Sequence, residues 1–187
     1  MVKRFRIIIM AGGMGRRFGG PHKLVAEVCG ERLIERVVRI ATIIGEPIVV
    51  VSPHTKGYLE GICAKHRCIE TKGAGYSEDL SEALSTLGRP VLVLPGDLPF
   101  ISVDILIDFV RKALKAPEPI ATLRVCRDGS CEAIGVSFAK ATGWGWVNID
   151  YSYSPELMDI DTLEDLLRAE EICGSMAGDI MLRRTLA

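Results

Sequence analysis

Short apolar runs punctuate this chain, each closed by glycine, proline or a polar turn, and amphipathic stretches separate them. Phe5-Arg6-Ile7-Ile8-Ile9, Pro47-Ile48-Val49-Val50-Val51 and Pro90-Val91-Leu92-Val93-Leu94-Pro95 read as buried strands, because a sheet covered on both faces needs no polar alternation. From Glu31 to Ile44 the apolar positions Leu33, Ile34, Val37, Val38, Ile40 and Ala41 recur on one helical face. The pattern predicts a further helix from Lys56 to Lys65 and a short strand from Arg67 to Glu70. Ser77 has the chemistry of an N-cap, with Glu78 and Asp79 in the first turn of a helix reaching about Leu87. Val103 to Leu114 predicts a helix with Asp104 in its first turn. Ile120 to Cys126 and Cys131 to Phe138 predict a hairpin turned by Asp128-Gly129. Met158-Asp159-Ile160-Asp161 predicts a short strand, with Thr162 capping the helix that follows. Strands alternating with helices imply an α/β fold: three layers around a mostly parallel central sheet, with one antiparallel hairpin.

The connection after the first strand carries the chemistry. Gly12, Gly13, Gly15, Gly19 and Gly20 crowd it, leaving backbone N–H groups unshielded by side chains and free to converge on phosphate oxygens. Arg16, Arg17 and Lys23 add three cations beside it. The bland alternative is a glycine-rich turn with scattered surface charge. The loop is not a Walker A motif, since no glycine precedes Lys-Ser or Lys-Thr. Nor does it complete a G-x-G-x-x-G fingerprint, because the third position is Phe18. Asp97, in Pro95-Gly96-Asp97-Leu98-Pro99-Phe100, sits just beyond the end of an apolar strand, where open α/β sheets bind ligands. A carboxylate there suits Mg²⁺ bridging a substrate's phosphates, although it would also serve as a turn cap.

Length and charge bound the alternatives. A chain of 187 residues is most simply one domain, residues 1–187, long enough to bury roughly 70% of its unfolded surface. The net charge of −1 leaves no electrostatic footprint for nucleic acid. No apolar run approaches the roughly 18 residues of a membrane span, and the N-terminus is too short in apolar residues for a signal peptide, so a cytoplasmic location is expected. A cytosolic chain usually keeps its cysteines free and buried. Cys63-x-x-His66-x-Cys68 offers three metal ligands, but no second pair at zinc spacing completes them. Cys126 and Cys131 face each other across the Asp-Gly hairpin as a non-hydrogen-bonded pair, close enough for a disulfide. An ordinary cytosol would keep them reduced, a hyperthermophile being the exception.

Gly12, Gly13, Gly15, Arg17, Gly19 and Lys23 resemble the G-G-x-G-[ST]-R-[ML]-G…K signature of the MobA-like nucleotidyltransferase superfamily, whose fold is Rossmann-like; Arg16 and Phe18 depart from it. That superfamily shows a similar G-D-x-P-F after a strand, with the Asp on the catalytic cation, which here would be Asp97. Met158-Asp159-Ile160-Asp161-Thr162-Leu163-Glu164-Asp165-Leu166 resembles its I-[DN]-T-x-[DE]-D-L run, implying Asp161 as a second cation ligand; Asp161-Thr162 reads equally as a helix start. Within the superfamily, Thr71-Lys72-Gly73-Ala74-Gly75-Tyr76-Ser77-Glu78-Asp79-Leu80 is similar to the G-K-G-Y-x-E-D-L run of the archaeal adenosylcobinamide-phosphate guanylyltransferases. Val51-Ser52-Pro53-His54-Thr55 resembles their T-S-P-N-T turn. Glu132-Ala133-Ile134-Gly135-Val136 resembles their P-A-G-I-N segment, which puts Gly135 on the acceptor side. The similarity runs over nearly the whole chain.

The resemblance implies transfer of GMP from GTP to adenosylcobinamide phosphate with loss of pyrophosphate, using Mg²⁺. Ala11, Gly12, Gly13, Met14, Gly15 and Arg16 would line the nucleotide, while Arg17, Lys23 and Asp97 would be catalytic. Ser52, Thr71, Lys72 and the helix start at Ser77–Asp79 are the expected purine and ribose wall, Asp79 either accepting from guanine or ribose or only favouring its helix N-terminus, and Gly75 is expected to bind the nucleotide as well. Trp144, Trp146, Tyr151 and Tyr153 either flank the acceptor pocket or pack locally, against a partner subunit if the chain is a homodimer. The expected partners are GTP and a phosphorylated corrinoid. An acceptor phosphate is already anionic near neutral pH, so no general base is required, consistent with three histidines in no evident nucleophile–base arrangement. Two other readings remain at this point. The same chemistry could serve molybdopterin, or CTP with isoprenoid or sugar acceptors; or the chain could be a nucleotide-binding regulator without transfer activity.

Overall fold

A computed structural model describes residues 5–185. β1 (Phe5–Met10) leads through the glycine loop and a short 3-10 helix at Pro21–Val25 into a ribbon of β2 (Glu27–Val28) and β3 (Glu31–Arg32), then α1 (Leu33–Ile44). Next come β4 (Gly45–Val51), a 3-10 helix at Lys56–Tyr58, α2 (Glu60–Cys63), β5 (Arg67–Glu70) and α3 (Tyr76–Ser85). β6 (Val91–Pro95), α4 (Val103–Lys115), β7 (Ile120–Arg127), β8 (Ser130–Ala139), β9 (Trp146–Ser152), a 3-10 helix at Pro155–Leu157 and α5 (Leu163–Thr185) complete the order.

Seven strands form one sheet in the order β5-β4-β1-β6-β8-β7-β9. β1 pairs in parallel with both β4 and β6, and only β8 runs against its neighbours. The expected α/β architecture is therefore present. The two faces of β1 explain its continuous apolar run. Ile7 and Ile9 join α1 and α4 in one core, where Val37, Val38, Leu106 and Phe109 are buried. Ile8 and Met10 face α3 on the other side, against Ala83 and Leu87. A third cluster joins Phe18 of the glycine loop, Val28 of β2 and Ala169 of α5. From β1 the chain leaves to β4 on one side and later returns to β6 on the other. That reversal opens a crevice at the carboxyl end of β1.

Several elements depart from expectation. α3 begins at Tyr76 with Gly75, not Ser77, at its N-cap. Gly75 has φ +147°, a conformation side chains rarely adopt, and its carbonyl takes the first helical bond from Asp79 N–H at 2.9 Å. Glu31 and Arg32 belong to the ribbon, so α1 starts at Leu33. The segment from Lys56 to Lys65 mixes i→i+3 and i→i+4 bonds and breaks at Leu59. Residues 158–161 form no strand; Ile160 N–H instead donates to the Asp97 carbonyl at 3.0 Å. Trp146–Ser152 is a further strand to which the sequence reading assigned no element, lying parallel to β7 with Val147, Ile149 and Tyr151 turned toward the core.

The cysteines also differ from expectation, being paired rather than free. Cys126–Cys131 is the disulfide that the hairpin register allows, with Cα atoms 4.0 Å apart. Cys63–Cys68 is a disulfide too, so those sulfurs are not zinc ligands. Cys29–Cys173 joins the ribbon's turn to α5 across 144 residues. Among the described residues no helix is long and apolar enough to cross a membrane.

Candidate active site

A cavity of about 270 Å³ opens at the carboxyl end of β1, lined by Met10 to Gly15 on one side and by Lys23 and Asp97 on the other. Hydrogen bonds beyond the strand ends build it. Ala11 N–H donates to Val50 O at 2.9 Å and Gly96 N–H to Met10 O at 3.0 Å, which fixes where each loop leaves the sheet. Gly15 is the pivot of the loop. Its φ is +60°, and its carbonyl accepts from Phe18, Gly19 and Gly20. A Cβ at Gly15 would lie 2.1 Å from Gly20 O, so only glycine fits. Phe18 is buried against the α5 cluster and anchors the far end of the loop. Among the described residues, none accepts a hydrogen bond from the N–H groups of Gly12, Gly13, Met14 or Gly15. These donors line an anion-sized hollow.

Opposite them stands a charge cluster drawn from three distant segments. Lys23 Nζ lies 2.6 Å from Asp97 Oδ2 and 3.3 Å from Asp161 Oδ1. Arg17 Nη2 reaches Asp161 Oδ2 at 2.8 Å from a largely exposed position. The Ile160–Asp97 backbone bond explains why Asp161 arrives here. Burial works against the Lys23 ammonium, but the Asp97 and Asp161 carboxylates outweigh it and hold its pKa above the ordinary value. Asp159 is partly buried nearby; burial first, then the charges of Asp161 and Asp97, raise its pKa. α5 is started by a reciprocal cap. Thr162 Oγ1 accepts from Asp165 N–H at 3.1 Å, and Asp165 Oδ2 accepts from Thr162 N–H at 2.8 Å and Asp161 N–H at 3.1 Å.

The other expected site residues divide. Ala11, Gly12, Gly13, Met14, Gly15, Gly75 and Asp79 line the cavity. Asp79 is 4% exposed and accepts from Gly73 N–H at 3.0 Å through Oδ1. Ser52 lies behind the wall, fully buried, donating its hydroxyl to Gly12 O at 2.7 Å, so it shapes the loop from outside the cavity. Thr71 is likewise buried, its hydroxyl on Val51 O at 3.2 Å. Arg16 faces a separate hollow with Met14 and His54. Gly135 has φ +79° and offers its carbonyl to Tyr76 Oη at 3.2 Å. None of the four aromatics near β9 lines the cavity: Tyr151 donates to Asp108 on α4 at 2.7 Å, Tyr153 packs under Arg127, and Trp144 and Trp146 are exposed. Tyr76 is the wall residue that single-residue reasoning passed over. Its position directly after the Gly75 turn was the available signal.

The residues fit a divalent cation as well as a phosphate. Asp97 and Asp161 already gather their oxygens around one positive charge, the donor chemistry that Mg²⁺ requires. Bare main chain facing acidic side chains at a topological switch point defines an α/β site for an anionic ligand together with a cation.

Comparisons with known proteins agree. Residues 7–168 match the family model for the MobA-like NTP transferase domain. An adenosylcobinamide-phosphate guanylyltransferase of Methanocaldococcus jannaschii is 35% identical over 99 residues, 49% of this chain and 50% of that protein. The chain thus spans about half the length of that relative. A molybdenum cofactor guanylyltransferase of Shewanella baltica is 28% identical over 137 residues, 71% of this chain and 67% of that protein. The crystal structure of molybdopterin-guanine dinucleotide biosynthesis protein A from Archaeoglobus fulgidus superimposes with a TM-score of 0.69 at 21% identity, covering 91% of this chain and all of that one. The chain belongs to the MobA-like NTP transferase family and is a nucleotidyltransferase.

Proposed function

We propose that this enzyme transfers GMP from GTP to adenosylcobinamide phosphate. An oxygen of the acceptor phosphate attacks the α-phosphorus, the bond to the β-phosphate oxygen breaks, and pyrophosphate leaves; the product is adenosylcobinamide-GDP. The observation that carries the reading is Lys23, held between Asp97 and Asp161 across the cavity from unpartnered glycine-loop N–H groups. The similarity to the M. jannaschii relative supports the corrinoid acceptor.

Each residue has a part in this scheme. The N–H groups of residues 12–15, with Lys23 and Arg17, neutralise the β- and γ-phosphates as charge builds on the departing pyrophosphate. Asp97 and Asp161 would hold Mg²⁺, which would supply Lewis-acid stabilisation of the phosphate charge. Asp79 spends one oxygen on Gly73 N–H and lines the cavity; its other oxygen would accept from guanine N1 and N2 or from the ribose hydroxyls. No group need remove a proton from the nucleophile, because the acceptor phosphate is already anionic.

The S. baltica relative supports a second reading, molybdopterin as acceptor with the same chemistry. Pyrophosphate release from GTP and Mg²⁺, with cobinamide phosphate and molybdopterin supplied in parallel, separates them. Release with cobinamide phosphate is expected. Release with molybdopterin alone would replace the acceptor, preference for CTP would discard guanylyl transfer, and GTP binding without release would favour a regulator.

A further inference from the structure

We propose that the body of the acceptor lies in a second hollow, on the far side of Tyr76 from the nucleotide cavity, shaped for a bulky phosphomonoester that carries neutral amide or hydroxyl groups. The inference rests on the acceptor-transfer reading above. Tyr76 is the first residue of α3, and its side chain belongs to two hollows at once. One is the glycine-loop cavity; the other is a groove of about 590 Å³ running along α3. The phenol donates to Gly135 O at 3.2 Å, so the side chain spans from α3 to β8 as a partition. Tyr76 is 48% exposed overall, and burial of part of the side chain, then the nearby Asp97 charge, raises its pKa to about 12.

The lining of the groove states what it can hold. Ser77, Ser81 and Ser85 recur every fourth residue on one helix face, the Ser85 hydroxyl already donating to Glu82 O at 2.7 Å. Leu84 supplies apolar floor, and Thr142, after β8, adds a hydroxyl from the opposite wall. The cation in the lining, Arg89, donates Nη1 to the Leu84 and Leu87 carbonyls at the opposite end of α3 from Tyr76. Hydroxyls beside apolar surface recognise neutral polar groups on a large body better than they recognise a dense anion. The acceptor's phosphate is thus left to the Tyr76 end, where the groove adjoins the cavity holding Lys23 and Asp97. One hollow receives the nucleotide, the other the acceptor body, and Tyr76 sets the angle between them.

Filling the groove tests this. Ser81→Trp places an indole in it from an exposed helix position, and Ser85→Trp does so one turn along; Ser81→Ala is the small control. Pyrophosphate release is measured against the concentration of cobinamide phosphate and of molybdopterin, and GTP affinity by thermal shift. At least one indole variant should raise the acceptor KM by about tenfold or more while GTP affinity stays within about twofold, and Ser81→Ala, which removes one recognising hydroxyl without filling the groove, should raise it by less. Wild-type acceptor KM in both folded indole variants would overturn the groove. A raised KM for molybdopterin in an enzyme that ignores cobinamide phosphate would keep the groove and discard the corrinoid. A wild-type enzyme that binds GTP but uses neither acceptor would overturn both.

Discussion

Lys23 and Asp97 are separated by 74 positions of chain, yet the ammonium and carboxylate meet at 2.6 Å, with Asp161 on the same ammonium from near the C-terminus. The side chains of Lys23 and Asp97 are 12% and 18% exposed, so the pair is shielded from bulk solvent, where screening would weaken it. A cation placed by two carboxylates beside a phosphate-sized hollow has its position settled before substrate arrives. Lys23→Ala should therefore lower kcat by roughly 10²–10³, as loss of a preorganised anion-stabilising donor does. Steady-state pyrophosphate release measures it. An effect confined to the KM for GTP would show instead that Lys23 contributes uniform binding.

Removal of divalent metal should stop the reaction. EDTA should abolish pyrophosphate release and added Mg²⁺ restore it, while Asp97→Asn should raise the Mg²⁺ concentration for half-maximal rate by at least about tenfold. A rate indifferent to EDTA would remove the metal role assigned to Asp97 and Asp161.

Gly15 admits no side chain, because its φ is +60° and a Cβ would sit 2.1 Å from Gly20 O. Gly15→Ala must reopen the loop, dispersing the N–H groups that face the phosphates. In wild type, GTP at 100 times its Kd should add about 2.7 kcal/mol of stability. The variant should lose most of that thermal shift. A full shift in Gly15→Ala would mean that the nucleotide does not use this loop.

The start of α5 should carry an acid-sensitive contribution. Burial alone would raise the Asp165 pKa, but bonds from the Thr162 hydroxyl and from the Asp161 and Thr162 N–H groups outweigh it and hold it below its ordinary 3.8. A carboxyl depressed by folding adds stability above its unfolded value, and that stability is lost as pH falls through the lower folded one. Asp165→Asn should therefore lower Tm at pH 6, and the gap from wild type should shrink as pH falls below 3.8 and through the lower folded value. A gap independent of pH would assign the loss to shape rather than charge.

The Cys29–Cys173 bond joins residues 144 positions apart and ties the ribbon that packs beside Phe18 to the helix that begins after Asp161. Glu170 adds a bond to Cys29 N–H at 2.9 Å. In oxidised protein Cys173→Ser should cost about 2–4 kcal/mol, or roughly 5–15 °C in Tm. Thiol counting under denaturing conditions, before and after reductant, checks the pairing. Six titratable thiols without reductant would contradict all three bridges.

What the chain determines locally is element type and the chemistry of loops. The apolar runs in β1, β4 and β6 specify strands buried on both faces, since each of their side chains needs a neighbour whichever way it points. Asp128-Gly129 sets the hairpin register, and with it Cys126 opposite Cys131. The glycines after β1 announce bare main chain. The tertiary structure decides everything that depends on which distant segments meet. Trp146–Ser152 carries the strand period, Val147, Ile149 and Tyr151 alternating with Asn148, Asp150 and Ser152, and only its parallel pairing with β7 decides where in the sheet it lies. Residues 158–161 looked like a strand, yet no ladder takes them, and Ile160 binds the Asp97 carbonyl instead. Ser52 and Thr71 have polar side chains at strand ends, but strand packing turns both hydroxyls onto backbone carbonyls. The meeting of Lys23, Asp97 and Asp161, the partition made by Tyr76, and the joining of Cys29 to Cys173 share one physical reason. Each is a contact between residues far apart in the chain, and no local period or propensity encodes which far residue will be near.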